Sequence, residues 1–264
     1  MLTLSALNIY PVKSLGGQSL QQSNVDRFGL QGDRRWLVVD RDGQFLTQRE
    51  LPQMATVQVQ HSANGLVLQC DGQKVEVVTP SAQALQRQVQ VWGDSVLALD
   101  AGAYAAQWLS QCLGRDCLLV YMPDACQRAV DPDFALQGET VSFADGFPLL
   151  LIGSASLEAF NRHLEMPIAM DRFRPNLVVS GAEPYAEDGW RRLRIGAMEF
   201  DLVKPCSRCV MPSIDQSSGR KQPEVLKALA QHRRGADRKT YFGQNLLYRQ
   251  NGSLALGDAV TVLN

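Results

Sequence analysis

The sequence predicts a mainly β protein with a few helices, an α+β chain built as two closely packed β-rich halves. Three observations carry this. Short β-branched runs recur between Gly, Asp and Asn turns, only three stretches have helical spacing, and no flexible linker or repeat divides the 264 residues.

The elements follow in order. Trp36-Leu37-Val38-Val39 is an apolar run, Asp40-Arg41-Asp42-Gly43 a turn, and Phe45-Leu46-Thr47 a returning strand. Turns at Asn64-Gly65 and Asp71-Gly72 separate Leu66-Val67-Leu68 from Val75-Glu76-Val77-Val78, which predicts a meander that curls towards a barrel or sandwich. Tyr104, Trp108 and Cys112 fall at i, i+4 and i+8, with Gly114 to end that helix. Leu157, Phe160 and Leu164 mark a second helix, capped by Ser154 or Ser156. Pro223 opens a third through Val225, Leu226 and Leu229. Asn176-Leu177-Val178-Val179 reads as a strand, Met198, Phe200 and Leu202 alternate after Gly196, and Ser253–Val262 reads as a closing hairpin around Gly257-Asp258. Pro123-Asp124, Asp131-Pro132-Asp133 and Gly138 place a soft boundary near residues 120 to 140.

Composition narrows the function. Lys plus Arg is 26 and Asp plus Glu is 27, so the net charge of −1 argues against a globally basic nucleic-acid binder. The N-terminus lacks a basic signal-peptide region, and no apolar run approaches the roughly 20 residues of a membrane span. The six cysteines are too few for a disulfide scaffold, so the sequence predicts a cytoplasmic chain with reduced thiols.

The densest chemistry lies in Lys204-Pro205-Cys206-Ser207-Arg208-Cys209. A single C-x-x-C admits a zinc site, a redox pair, two inert core thiols, or one thiolate ligand for a soft metal centre. Zinc wants four ligands, and His61, His163 and His232 are scattered singly. Lys204 and Arg208 favour a thiolate. Further cations sit at strand ends, in Tyr10-Pro11-Val12-Lys13-Ser14, Gly32-Asp33-Arg34-Arg35-Trp36 and Asp171-Arg172-Phe173-Arg174-Pro175-Asn176. Each read alone is an ordinary surface charge. Three together with a thiol point to an anionic, metal-bearing cofactor.

These segments, with Tyr-Ala-Glu-Asp-x-Trp at 185–190 and Phe-Gly-Gln-Asn at 242–245, resemble the MOSC family across Leu4 to Val262. More closely, they resemble the group with an N-terminal MOSC β-barrel domain that includes the mitochondrial amidoxime-reducing component and its bacterial relatives. The resemblance implies a MOSC N-terminal β-barrel-like domain over residues 1–120 and a MOSC β-barrel over 121–264. It implies a molybdenum cofactor, a pterin dithiolene carrying molybdenum and a terminal phosphate, with Cys209 as the metal ligand and catalytic thiolate and Cys206 non-ligating. Lys13, Ser14, Arg34, Arg174, Asn176, Ser207 and Arg208 match residues that hold the cofactor. Gly146 and Phe147 stand where relatives often have hydroxyls, leaving backbone contacts only, and Asn245 stands where some relatives have Tyr.

The implied activity is reduction of N-hydroxylated small molecules. Several bacterial relatives carry an iron–sulfur domain with a C-x4-C-x2-C run, and this sequence lacks that run. The expected electron source is therefore a separate ferredoxin-, flavodoxin- or cytochrome-like protein. A non-catalytic carrier of the cofactor or its sulfur, as in sulfurase C-terminal domains, and a thiol redox protein using Cys206 and Cys209 are the rivals. Glu187, Asp188 and Trp190 read as a loop tether, and Asp215 as a group that orients the thiolate loop. His232-Arg233-Arg234 with Arg238 and Lys239 reads as a solvated helix end or a docking patch for an acidic donor.

Overall fold

The computed structural model describes residues 1–135 and 138–264. In chain order its first part forms β1 (Leu2–Ile9), β2 (Gln18–Ser19), β3 (Gln22–Asp26), β4 (Gly29–Leu30), β5 (Trp36–Val39), β6 (Gln58–Ser62), β7 (Gly65–Cys70), β8 (Gln73–Val78), β9 (Gln86–Val91), β10 (Asp94–Asp100), α1 (Ala103–Leu113) and β11 (Leu118–Tyr121). The remainder forms β12 (Leu149–Gly153), α2 (Ser154–Asn161), β13 (Leu177–Ser180), β14 (Arg192–Ile195), β15 (Met198–Ser207), α3 (Pro223–His232), β16 (Tyr241–Tyr248), β17 (Gly252–Ala255) and β18 (Ala259–Val262).

Seven strands close a barrel in the order β13-β12-β16-β15-β14-β18-β1, and β1 returns to β13. Closure removes the exposed edges that an open sheet would present. The parallel β12–β13 pair needs a crossover, and α2 lies within it. Alternate residues point inward, so Leu4, Leu151, Leu177, Leu193, Phe200 and Leu246 fill the interior. Beside the barrel, β5-β11-β10-β9 curves as a half-barrel, and β6-β7-β8 packs its Val59, Leu66, Leu68 and Val75 against Leu109 and Leu113 of α1. The mainly β architecture, with three α-helices among the described residues, is as the sequence predicts.

Several local expectations need correction. In α1 the buried face is Ala105, Ala106, Leu109 and Leu113, while Tyr104 is exposed. Neither Ser154 nor Ser156 caps α2, because Gly153 holds the N-cap and Ser156 Oγ instead donates to Glu187. The helix also ends at Asn161, before Leu164. Beyond the Asp40–Gly43 turn the returning segment forms no strand; it keeps isolated bridges from Phe45 to Val39 and from Gln44 to Gln90 of β9. The C-terminal strands do not form a hairpin. β17 pairs with β3, and β18 enters the barrel between β14 and β1. Finally, the thiols are not all free, because Cys70 and Cys112 form a disulfide that ties β7 to α1.

Candidate functional site

Strand ends of the barrel and half-barrel converge on one cleft. Lys13 and Ser14 follow β1, Arg34 precedes β5, Gly146 and Phe147 precede β12, Arg174 and Asn176 precede β13, and Asn245 lies on β16. Ser207, Arg208 and Cys209 arrive at the end of β15. The structure therefore brings together all eleven residues that the sequence singled out. Register shifts between Leu202 and Lys204 and between Pro205 and Ser207 break the β15–β16 ladder, the second at Cys206 and just before Cys209. Pro205 cannot donate to a ladder, and bulges re-aim the residues that follow.

Three of these residues adopt left-handed backbone, with φ of 67° at Ser14, 48° at Arg34 and 54° at Arg174. Such conformations are uncommon for residues with a Cβ and collect at binding sites. They are fixed locally. Arg34 N donates to Tyr10 O at 3.0 Å, and Ser14 O accepts from Gln48 Nε2 at 2.9 Å.

The cleft is rich in positive charge. Lys13 is only 6% exposed, donates to Phe143 O at 2.8 Å and pairs with Asp145. Burial pushes its ammonium down to about 8, against the pull of Asp145. Desolvation pushes the Asp145 carboxyl up, but Lys13 outweighs it and holds that group well below the usual carboxylate range. Arg34 pairs with buried Asp33 at 2.5 Å and donates to Asn176 Oδ1 at 3.1 Å. The Arg34 and Arg174 guanidiniums lie 4.6 and 4.1 Å from the Tyr10 ring centre. Burial pushes Arg174 down to about 10. Arg174 Nη1 donates to Gln216 at 3.3 Å, whereas its buried Nη2 has no partner.

The thiol loop is held by its neighbours. Arg208 donates to Phe242 O at 2.8 and 2.7 Å and to Phe173 O at 2.9 Å. Arg172 bonds Pro212 O at 3.3 Å and Asp215 at 2.7 Å. Asp215 also collects the Ser217 and Ser218 hydroxyls at 2.6 and 2.8 Å, so it anchors the loop and does not face the thiol. Cys209 is an exposed free thiol, and burial pushes the neighbouring free thiol of Cys206 up.

Sequence reasoning missed Thr47, Arg49 and the part played by Arg172. Thr47 Oγ1 is buried in the cleft wall without a partner, and Arg49 Nη2 donates to Cys209 Sγ at 3.4 Å. Thr47 and Arg49 have no motif around them, and only the failed return strand after Gly43 carries them to the thiol. In the sequence Arg172 is one cation of a cluster, and its bonds make it a brace.

Other expected roles resolve by geometry. Buried Glu187 accepts from Gly153 N at 3.0 Å and Ser156 Oγ at 2.8 Å, and Asp188 pairs with Arg233 at 2.5 Å and accepts from Gln244 at 3.0 Å. Trp190 lies in the barrel core. These are tethers. Among the described residues no three His, Cys, Asp or Glu side chains gather as a metal site, which argues against zinc at the C-x-x-C. No described helix is long and apolar enough to cross a membrane.

Comparison with known proteins follows the same lines. The MOSC N-terminal beta barrel domain matches residues 1–116 and the MOSC domain residues 138–261. Human mitochondrial amidoxime-reducing component 1 is 31% identical over 281 residues, covering 99% of this chain and 83% of that one. A molybdenum cofactor sulfurase of Drosophila grimshawi is 32% identical over 270 residues, covering 98% of this chain but 34% of the sulfurase. The YUAD protein of Bacillus subtilis aligns with a TM-score of 0.48 at 13% identity, over 98% of this chain and 94% of that one. The chain belongs to the MOSC family, with an N-terminal MOSC barrel domain followed by a MOSC domain.

Proposed function

We propose that the cleft binds a molybdenum cofactor and that the protein reduces N-hydroxylated small molecules, taking electrons from a separate ferredoxin-, flavodoxin- or cytochrome-like protein. The observation that carries this is the exposed Cys209 thiol beside Lys13, Arg34, Arg49 and Arg174, with Arg174 Nη2 buried and unpartnered. A buried donor without an acceptor costs about 1–3 kcal/mol, which an anionic ligand would offset. One thiolate does not hold a bare ion, but it suits a metal that arrives with its own dithiolene sulfurs.

In this reading Cys209 is the metal ligand, and the Arg49 guanidinium stabilises its thiolate. Lys13, Arg34, Arg174 and Thr47 face the phosphate and pterin. Ser14, Gly146, Phe147, Ser207 and Asn245 line the cavity that receives them. Asn176 and Arg208 brace the site through Leu150, Asn8, Arg34, Phe173 and Phe242, and each keeps a further N–H to offer the cofactor. The cofactor would supply the two-electron couple. The overall change is loss of the N-bound oxygen as water, with two electrons and two protons taken up.

The match to a sulfurase over 98% of this chain favours a second reading, a carrier of the cofactor or its sulfur. The thiol-pair reading is separated from these by Cys206→Ala, since only a thiol pair needs both cysteines. The test is molybdenum and pterin content of the protein, Cys209→Ala and Cys206→Ala, purified from a host that makes the cofactor. Near-stoichiometric molybdenum in the parent and in Cys206→Ala, lost in Cys209→Ala, is expected. Full retention in Cys209→Ala, or none in the parent while a control enzyme is loaded, overturns it. A loaded protein that turns over no N-hydroxylated compound with any donor is a carrier.

A further inference from the structure

The turn between β9 and β10 puts a tryptophan in an unfavourable conformation. Trp92 has φ of 57°, while the adjacent Gly93 does not take the left-handed region. A two-residue turn built for stability places glycine at the left-handed position. Here the bulky residue takes it, and its side chain is left 47% exposed.

The ring is nevertheless fixed, and its polar contacts, to Asp145 and Arg49, are with residues of the cleft wall. Its Nε1 donates to Asp145 Oδ1 at 3.3 Å, and Asp145 pairs with Lys13. The Arg49 guanidinium stacks 4.7 Å from its centre and donates on its other side to Cys209 Sγ at 3.4 Å. Phe45 meets it edge-on at 5.0 Å, and Lys13 Nζ lies 5.7 and 5.9 Å from the two rings. A single guanidinium thus separates an exposed indole from the exposed thiol. Backbone strain retained at a bulky aromatic, and held by groups of the site, marks a functional device rather than a packing one.

We infer that Trp92 is a substrate-recognition residue, an aromatic platform at the cleft mouth that stacks flat, conjugated N-hydroxylated substrates and so favours aryl over alkyl amidoximes. An indole face offers offset stacking to a planar π system, and the Arg49–Trp92 stack keeps the ring from collapsing onto the thiol. An alkyl amidoxime has no π face beyond its own N–C–N group and gains little from it. This inference rests on the proposed reductase reading and specifies its substrate class.

The test separates the two. Benzamidoxime and acetamidoxime are titrated into the whole protein without any reductant, so nothing turns over, and binding is read by calorimetry and tryptophan fluorescence. Trp92→Ala should weaken benzamidoxime about threefold to tenfold, and Trp92→Phe should restore most of the affinity. With a donor present, the kcat/KM ratio of benzamidoxime over acetamidoxime should fall by a similar factor in Trp92→Ala. Melting curves of both variants report their folding. Equal benzamidoxime affinity in the parent and Trp92→Ala, no binding to the parent, or equal weakening by Ala and Phe overturns the platform. Any of these in a loaded protein that still reduces amidoximes leaves the reductase reading intact. A protein that binds benzamidoxime through Trp92 but reduces neither compound supports the platform and overturns the reductase.

Discussion

Replacing Asn176 with alanine should behave as a fold mutation, although the residue lies in the cleft wall. Its side chain is almost fully buried and makes three bonds. Oδ1 accepts from Leu150 N at 3.2 Å and from Arg34 Nη1 at 3.1 Å, and Nδ2 donates to Asn8 O at 3.2 Å. Alanine leaves a buried N–H on β12 and loosens the β1 end where Asn8 sits, while Arg34 keeps Asp33 as a partner. Two deprived backbone groups at about 1–3 kcal/mol each suggest a loss of about 3 kcal/mol. For a chain of this length about 2 °C is lost per kcal/mol, so the apparent melting temperature should fall by about 6 °C. The assay is thermal melting of cofactor-free protein, parent against Asn176→Ala, followed by molybdenum content at a temperature where both are folded. A melting temperature within about 1 °C of the parent, combined with complete loss of the cofactor, would refute the reasoning and make Asn176 a direct ligand contact.

Two other perturbations have a worked sign. Lys13 titrates near 8 when buried, below the 10.5 of a free lysine, so its charge is present below pH 8 and lost above. Binding of sulfate, a dianion throughout this range, to cofactor-free protein should therefore weaken as pH rises through about 8, and Lys13→Met should flatten that dependence; calorimetry at pH 6.5 and 9.5 decides. The same shift means the unfolded chain binds the proton more tightly between about pH 8 and 10.5. Keeping the ammonium buried therefore costs about 3 kcal/mol below pH 8, a cost that fades towards pH 10.5, and Lys13→Met should stabilise the cofactor-free protein at neutral pH. The Cys70–Cys112 bridge closes 42 residues of chain, for which loop entropy gives about 4 kcal/mol. Reduction or Cys112→Ser should lower the melting temperature, and a free-thiol assay giving six thiols in the untreated protein would contradict the bridge.

What could be read from the sequence was local. Asn64-Gly65 and Asp71-Gly72 do turn the meander β6-β7-β8, Gly114 does end α1 in the left-handed conformation, and Pro223 does open α3. The misreadings share one cause, tertiary partners that local pattern does not encode. Gly257-Asp258 looks like a hairpin turn, but barrel closure gives β18 two partners and leaves β17 to β3. In α1 two stripes compete, and the smaller Ala105 and Ala106 win because Leu109 and Leu113 meet the meander on their side. Cys70 and Cys112 lie too far apart in sequence for spacing to pair them. At the site, cations flanking predicted strands were visible because strand ends present loop residues rigidly. Thr47, Arg49 and Trp92 sit in segments with no such signature and are brought to the cleft by the packing of the Asp40–Phe45 turn against β9.

The geometry also divides the cleft into groups that hold and groups that present. Asn176, Arg172 and Arg208 have acceptors or donors within the protein on most of their polar atoms, and Arg34 does both, holding through Asp33 and Asn176 while it faces the cleft. Arg174 Nη2 and Thr47 Oγ1 have none, and Cys209 Sγ has one donor and an exposed face. Charges buried without a ligand oppose folding, as the lowered values for Lys13 and Arg174 indicate. The holding set offsets that cost by bonding to the ends of β1, β12, β13 and β16, whose pairing is fixed by barrel closure. Loss of a holding residue should therefore appear first as lost stability. Loss of a presenting residue should leave the cofactor-free fold unchanged or firmer and appear as lost ligand affinity, because it removes an unsatisfied group or a buried charge from an otherwise closed hydrogen-bond network.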